Sequence, residues 1–427
     1  WVDTANQTWR DRSGQLLVRE NCPPTVYAPI GFAMWRPMAE ALGWPDQPIS
    51  WDVLVNLSAD PEGWNSLGHP EWGQFKFGHT HPDYSNVGLL IMTALAYSIE
   101  GSTSGLTADR VYSPEVEAAF ARVEQNTYHY GIQSRPLMQL LAQRGPDYLH
   151  AVTSSEAETL KTNAEFRDSL RFPLVFIFPA KGTYWSEQPY CILDAEWVSD
   201  EQREAATLFR DYLLDPAQQA LAVDNYVRPV DASVSLHAPL SLEDGTDPRV
   251  TRSSVPALES PSAEVAAAVK DVFHITKKKA TILLVLDTSG SMEGDRIKGA
   301  VDSSINFVKR LDPNDEIYVM GFANGVYDVG GGRAGDVGES LTRSIAGLYA
   351  SGNTPLFDAV CAAAEKMSAL QSEDEAAGER RLYGIVLLSD GEDTASVRTE
   401  NQMFGCLPSG ESVTGFKVFT IAYGEEA

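Results

Sequence analysis

Thr281-Ile282-Leu283-Leu284-Val285-Leu286-Asp287-Thr288-Ser289-Gly290-Ser291-Met292 decides how the rest of this chain is read. Ile282 to Leu286 form a short continuous apolar run, the pattern of a strand buried on both faces of a parallel sheet. The run ends in Asp287, and Ser289 and Ser291 follow at alternate positions around Gly290. Such a strand delivers one carboxylate and two hydroxyls to its C-terminal tip, where open α/β sheets place their ligands. Oxygen-only ligands of this kind suit a hard divalent cation such as Mg²⁺.

Two later segments extend the pattern. Ser351-Gly352-Asn353-Thr354-Pro355 is a turn that leads into the helical stretch Leu356 to Met367 and offers Thr354 as a further hydroxyl. Ile385-Val386-Leu387-Leu388-Ser389-Asp390-Gly391 reads as a second buried strand, ending in Asp390. An isolated Asp-x-Ser-x-Ser is often just a polar turn after a strand. Here the motif, the distant Thr and the distant Asp-Gly stand in one order, each at a strand or helix end. In that combination they resemble the von Willebrand factor A (VWA) domain and its metal-ion-dependent adhesion site.

The resemblance implies a doubly wound, Rossmann-like domain over 276–427. It implies that Ser289, Ser291 and Thr354 ligate the metal directly or nearly so, with Asp287 and Asp390 acting largely through water. One coordination position is left for a carboxylate from a protein partner. Mg²⁺ is the expected ion, with Mn²⁺ or Ca²⁺ as alternatives; Mg²⁺ keeps several waters and is seldom fully caged by protein. The second strand reads Ser-Asp-Gly where many members have Thr-Asp-Gly, which keeps the carboxylate and a hydroxyl beside it. Around the site, Asp295 to Leu311 is an amphipathic helix with Ile297, Val301, Ile305 and Val308 on one side. Glu316 to Phe322 is a strand, Asn324 to Gly335 a Gly-rich hairpin, Ser340 to Leu348 a helix and Phe416 to Ala422 a strand. Glu373-Asp374-Glu375 reads as a solvated loop, and Glu392 and Asp393 as surface loop residues.

A chain of 427 residues leaves room for about two to four domains. The formal charge of −26 argues against nucleic acid and against an anionic membrane surface as direct partners. No apolar run is long enough for a transmembrane helix, and no signal peptide is visible. The start at Trp1-Val2-Asp3 reads as lying inside a fold, and the end at Glu425-Glu426-Ala427 as a trimmed A domain. Cys22, Cys191, Cys361 and Cys406 have no Cys-x-x-Cys spacing, so no zinc or thioredoxin-like motif is indicated. One disulfide within each region, or buried free thiols, both fit.

The region from Trp1 to about Asp231 alternates apolar runs and helical stretches, an α/β pattern. Thr25 to Ile30, Gln74 to Gly78 and Leu174 to Phe178 read as strands. Arg36 to Leu42, Val87 to Tyr97, Pro114 to Gln125 and Glu201 to Leu214 read as helices, the last with a clear apolar face. In His79-Thr80-His81-Pro82-Asp83-Tyr84-Ser85-Asn86, Ser85 or Asn86 caps a helix whose free N–H groups suit an anion, or is simply a cap. Phe178-Pro179-Ala180-Lys181-Gly182-Thr183 follows a buried strand. With Trp51-Asp52-Val53-Leu54 and Tyr226-Val227-Arg228-Pro229, these segments resemble bacterial extracellular solute-binding proteins of the two-lobed periplasmic (type 2) kind.

That resemblance covers roughly 1–231 and lacks the opening strands of lobe one. It implies Ser85, Asn86, Lys181, Thr183 and Arg228 as solute contacts. His69, His79 and His81 match no zinc spacing and read as loop histidines; the Trp-rich stretch Trp35 to Trp72 reads as packing. No nucleophile elbow, Walker loop or nucleophile with an evident base is present. Residues 232–275 read as a linker or strap ending in a short helix, Ala263 to Phe273. The whole reads as a non-enzymatic, exported bacterial protein that joins a solute-binding-like module to a metal-dependent adhesion module. Two alternatives are the substrate-binding receptor of an ABC-type transport system and a chelatase-like accessory subunit.

Overall fold

The computed structural model describes residues 2–18, 22–379, 381–408 and 415–423, so the readings at Trp1 and at Glu425-Glu426-Ala427 lie outside the described residues. The chain forms two compact units, Trp1–Lys277 and Lys278–Ala427. Among the described residues no helix is long and apolar enough to cross a membrane.

The first unit is mixed α/β. Its strands are β1 (Pro24–Tyr27), β2 (Ile30–Trp35), β3 (Phe77–Thr80), β4 (Thr127–Gly131), β5 (Ala151–Ser155), β6 (Leu174–Ile177), β7 (Glu187–Pro189) and β8 (Arg228–Pro229). The main sheet has the order β4-β3-β5-β2-β6, with β3 parallel to β4 and β5 and β2 antiparallel to β5 and β6. Every residue of β2, β3 and β6 is buried, so periodicity alone cannot separate these strands from buried helix. A smaller antiparallel sheet has the order β7-β1-β8. Cys22 and Cys191 are disulfide-bonded beside β1 and β7.

Segment 232–262 is an irregular strap rather than a free tether. Leu240, Val255 and Leu258 are buried, and Leu258 N–H donates to Thr183 O at 2.9 Å while Thr183 N–H donates to Pro256 O at 3.0 Å. Ser262 caps the helix Ala263–Thr276 through the Val265 N–H. That helix buries Val265, Ala268, Val269, Val272 and Phe273 in the main core of the first unit. Ser, Pro and Asp gave this segment the composition of a linker, yet its few apolar residues are spaced to plug the surface they cross.

The second unit carries β9 (Ala280–Asp287), β10 (Glu316–Phe322), β11 (Val326–Arg333), β12 (Leu382–Ser389) and β13 (Lys417–Ala422) in the order β11-β10-β9-β12-β13. All pairings are parallel except the β10–β11 hairpin. The central strand β9 is buried on both faces, as its uninterrupted apolar run requires. Leu283 and Val285 pack with Ala359, Ala363 and Met367 of the helix Leu356–Ala376. Leu284 and Leu286 pack on the other side with Ala300 and Val308 of the helix Asp295–Val308 and Leu341 and Ile345 of the helix Ala334–Ala346. This is a doubly wound, Rossmann-like sheet, and it aims the C-terminal ends of β9 and β12 at one edge. Cys361 and Cys406 tie the helix Leu356–Ala376 to the short helix Glu400–Cys406.

Glu373-Asp374-Glu375 lies in the last turns of the helix Leu356–Ala376 and not in a loop. Asp374 is paired: Tyr383 Oη donates to its carboxylate at 3.0 Å, and Arg381 lies 3.5 Å from it.

Candidate metal site

The site is built where β9 and β12 end. Asp287 is buried, and both of its oxygens are held by neutral donors: the Ser289 N–H reaches Oδ1 at 2.8 Å and the Ser389 hydroxyl reaches Oδ2 at 2.6 Å. The first contact is an aspartate turn closing on its own backbone. Thr288 turns away, its N–H and hydroxyl both donating to Phe322 O at 2.9 and 3.0 Å. Ser289 and Ser291 hydroxyls lie 2.9 Å apart, and the Ser291 hydroxyl donates to Asp390 Oδ1 at 2.8 Å. Asp287, Ser289, Ser291 and Asp390 therefore form one continuous polar chain between two strand tips.

The Thr354 loop is clamped onto this chain by backbone. Gly290 N–H donates to Gly352 O at 2.9 Å, and Ser351 N–H donates to Thr288 O at 2.8 Å. A Cβ at Gly290 would stand 3.2 Å from Gly352 O, and Gly352 sits at φ +82° against Asn324, so both glycines serve the close approach. Thr354 is buried, and Thr394 holds it from both sides: Thr354 N–H donates to the Thr394 hydroxyl at 3.0 Å and Thr394 N–H to Thr354 O at 2.9 Å. Asp393 is not a bystander in this loop, since it accepts from Phe357 N–H at 3.4 Å and anchors Ser396.

The donor chemistry fits a hard cation: two carboxylates and three hydroxyls, no imidazole and no thiolate. What the sequence did not announce is Arg296. Its guanidinium donates to Asp390 Oδ2 and, at 3.2 Å, to Ser291 O. The signal lay in view, five residues after Ser291 on the next helix, but an exposed helix Arg is ordinarily a solvated one.

Of the residues expected to contact a solute in the first unit, Ser85, Lys181, Thr183 and Arg228 each have partners within the fold. Ser85 caps the helix Asn86–Glu100 through the Gly88 N–H at 3.4 Å. Lys181 forms an ion pair with Asp52 at 2.6 Å and donates to Ser98 O at 3.3 Å. Thr183 is buried, with its hydroxyl donating to Ile30 O. Arg228 is buried and makes a bidentate pair with Glu156, 2.8 Å on each arm, and also donates to Asp247 O at 2.9 Å and Val250 O at 2.5 Å. Its guanidinium also lies over the Phe178 ring at 5.0 Å.

His79 is no loop histidine: it is buried, with Nε2 2.9 Å from Glu124 Oε1 and Nδ1 3.0 Å from Thr80 O. Burial opposes its protonation, but the Glu124 carboxylate outweighs burial and holds its pKa above the usual value. His81, packed on Phe273, is pushed down to about 4, chiefly by burial.

A doubly wound domain with a candidate metal site at its sheet edge follows a mixed α/β unit, and each half matches a known family. Residues 4–226 match the family described as bacterial extracellular solute-binding protein, and the chain belongs to that family. Residues 281–427 match the von Willebrand factor type A domain. An extracellular solute-binding protein from Bordetella parapertussis is 13% identical, with TM-score 0.42, over 60% of this chain and 68% of that one. A von Willebrand factor type A protein from Catenulispora acidiphila is 18% identical, with TM-score 0.30, over 35% of this chain and 34% of that one. The uncharacterized protein sll0103 of Synechocystis sp. is 26% identical over 38% of this chain, and this chain spans 36% of its length.

Proposed function

We propose that the second unit binds a partner protein through a divalent cation, Mg²⁺ in the first instance and Mn²⁺ or Ca²⁺ as substitutes. The observation that carries this reading is the hydrogen-bonded chain Asp287–Ser289–Ser291–Asp390 at the meeting of β9 and β12, with the Thr354 loop clamped against it. Ser289, Ser291 and Thr354 would hold the ion, with Asp287 and Asp390 supplying negative charge around it. When bound, the ion would supply positive charge able to attract a partner's carboxylate. The chain's own part is to present the hydroxyls rigidly, since Asp287 and Thr394 fix the backbones that carry them.

The protein acts by binding and not by catalysis, in this reading, and works outside the cytoplasm. The family of the first unit supports that location. So do two disulfides, which persist in oxidising compartments. An intracellular chelatase-like role is disfavoured on the same ground.

The test is direct metal binding to the full chain by titration calorimetry. Wild type is expected to bind Mn²⁺ or Mg²⁺, while Asp287→Ala and Asp390→Ala lose most of the affinity and keep a cooperative thermal transition. Equal binding in all three proteins would end this reading.

A further inference from the structure

We infer that Arg296 is a resident counter-charge of the candidate metal site, and that it couples cation binding to capture of an acidic group. The inference rests on the metal-site reading above. The two carboxylates of the site are treated differently. Among the described residues Asp287 takes neutral donors, from Ser289 and Ser389. Asp390, whose side chain is 0% exposed, takes the Ser291 hydroxyl on one oxygen and the Arg296 guanidinium on the other. Arg296 is 47% exposed, starts the helix Asp295–Val308 and is braced by Ser291 O at 3.2 Å.

Charge then decides the behaviour. Two carboxylates and one guanidinium leave the site at a formal −1. With a dication present the tally is +1, and a carboxylate from outside returns it to zero. Without Arg296 the same three states read −2, 0 and −1. Arg296 therefore weakens cation binding when no acid is present and favours the acid once the cation is in place. By reciprocity, an acidic ligand tightens the cation by the same factor. The site loads fully only with its partner.

The experiment measures free Mn²⁺ by electron paramagnetic resonance over the full chain. It compares wild type, Arg296→Met, Arg296→Gln and Arg296→Lys, in acetate and in chloride of equal ionic strength. A unit charge a few ångströms from a dication changes its affinity by about tenfold even at water's dielectric constant. Arg296→Met and Arg296→Gln are expected to bind Mn²⁺ about tenfold more tightly in chloride and to lose the tightening that acetate gives wild type. Arg296→Lys is expected to behave as wild type. The two neutral variants guard against one of them failing to fold, which a thermal melt detects. Equal Mn²⁺ affinity in wild type and the neutral variants, or an unchanged acetate effect, overturns the role of Arg296 and leaves the metal site standing. No Mn²⁺ binding by any of the four proteins overturns both.

Discussion

Arg228 and Glu156 show what a single residue can and cannot announce. Tyr226-Val227-Arg228-Pro229 reads as a ligand-facing arginine, and nothing in those four residues names a carboxylate 72 positions away. The fold supplies it, and the guanidinium is spent on one carboxylate and two carbonyls. Arg228→Met is therefore expected to leave a buried carboxylate unpaired and cost about 3–5 kcal/mol in urea unfolding. The five residues proposed for the metal lie at the opposite extreme. Asp287, Ser289, Ser291, Thr354 and Asp390 were legible because their types and order carry the pattern, and the structure gathers four of them into one chain and the fifth into the adjoining loop. Arg296 was not legible, because its role depends on which carboxylate the fold sets beside it.

The histidines set a pH dependence. His150 accepts from Trp64 Nε1 at 2.9 Å and Lys76 N–H at 3.1 Å on the same nitrogen, and burial pushes its pKa down to about 3. His81 is held at about 4, mainly by burial. Both are neutral in the fold, whereas in the unfolded chain they protonate near pH ~6.5. Their contribution is thus fully present above that value and is lost as pH falls toward 4 and 3. His79 works in the opposite sense: its pKa is raised, so its contribution is present below ~6.5 and fades as pH rises through the folded value. The unfolding free energy of the first unit should fall by a few kcal/mol between pH 7 and 4. His150→Gln, which keeps an acceptor, should flatten that fall in denaturant titrations at a series of pH values.

At the scale of the element, the limits of pattern reading have physical causes. The apolar spacing of the helix Leu356–Ala376 fades after Met367, because its last turns lie away from the core, yet no helix stop appears before Gly378. The Glu-rich turns continue the helix on intrinsic preference and on polar contacts, Asp374 with Tyr383 and Arg381 and Gln371 with Glu375. The helix Asp200–Leu213 has the apolar face its sequence shows, but none of its residues is buried and Leu208, Phe209 and Tyr212 are exposed. Periodicity reports that a face exists and is silent about what covers it. The disulfide between Cys361 and Cys406 closes 45 residues, including β12 and the Asp390 loop. Replacing both cysteines by serine is expected to cost about 2–4 kcal/mol, and a strong reductant should lower the melting temperature of wild type but not shift the second unit of that variant. A scan with and without reductant checks this.

At the scale of the whole molecule, the α/β character of the first unit was open to reading from the alternation of runs, and the doubly wound order of the second from its resemblance to the VWA domain. The true extent of the first unit was not, because composition describes a strap and a linker alike. Solute binding by that unit is a separate matter from the candidate metal site. A thermal-shift screen with oxyanions, sugars and amino acids should raise the melting temperature for any ligand held only by the folded state, by an amount set by its concentration over its dissociation constant. No response across the three classes would remove solute capture from the account.

The helix Ala263–Thr276 has a mechanical meaning. It ends one residue before the last of the first unit, and five of its side chains are embedded in that unit's core. Any pull exerted on the second unit enters the first at Lys277 and is met at once by packed hydrocarbon. Within the first unit, that end of the chain yields only when the helix is stripped from its seat.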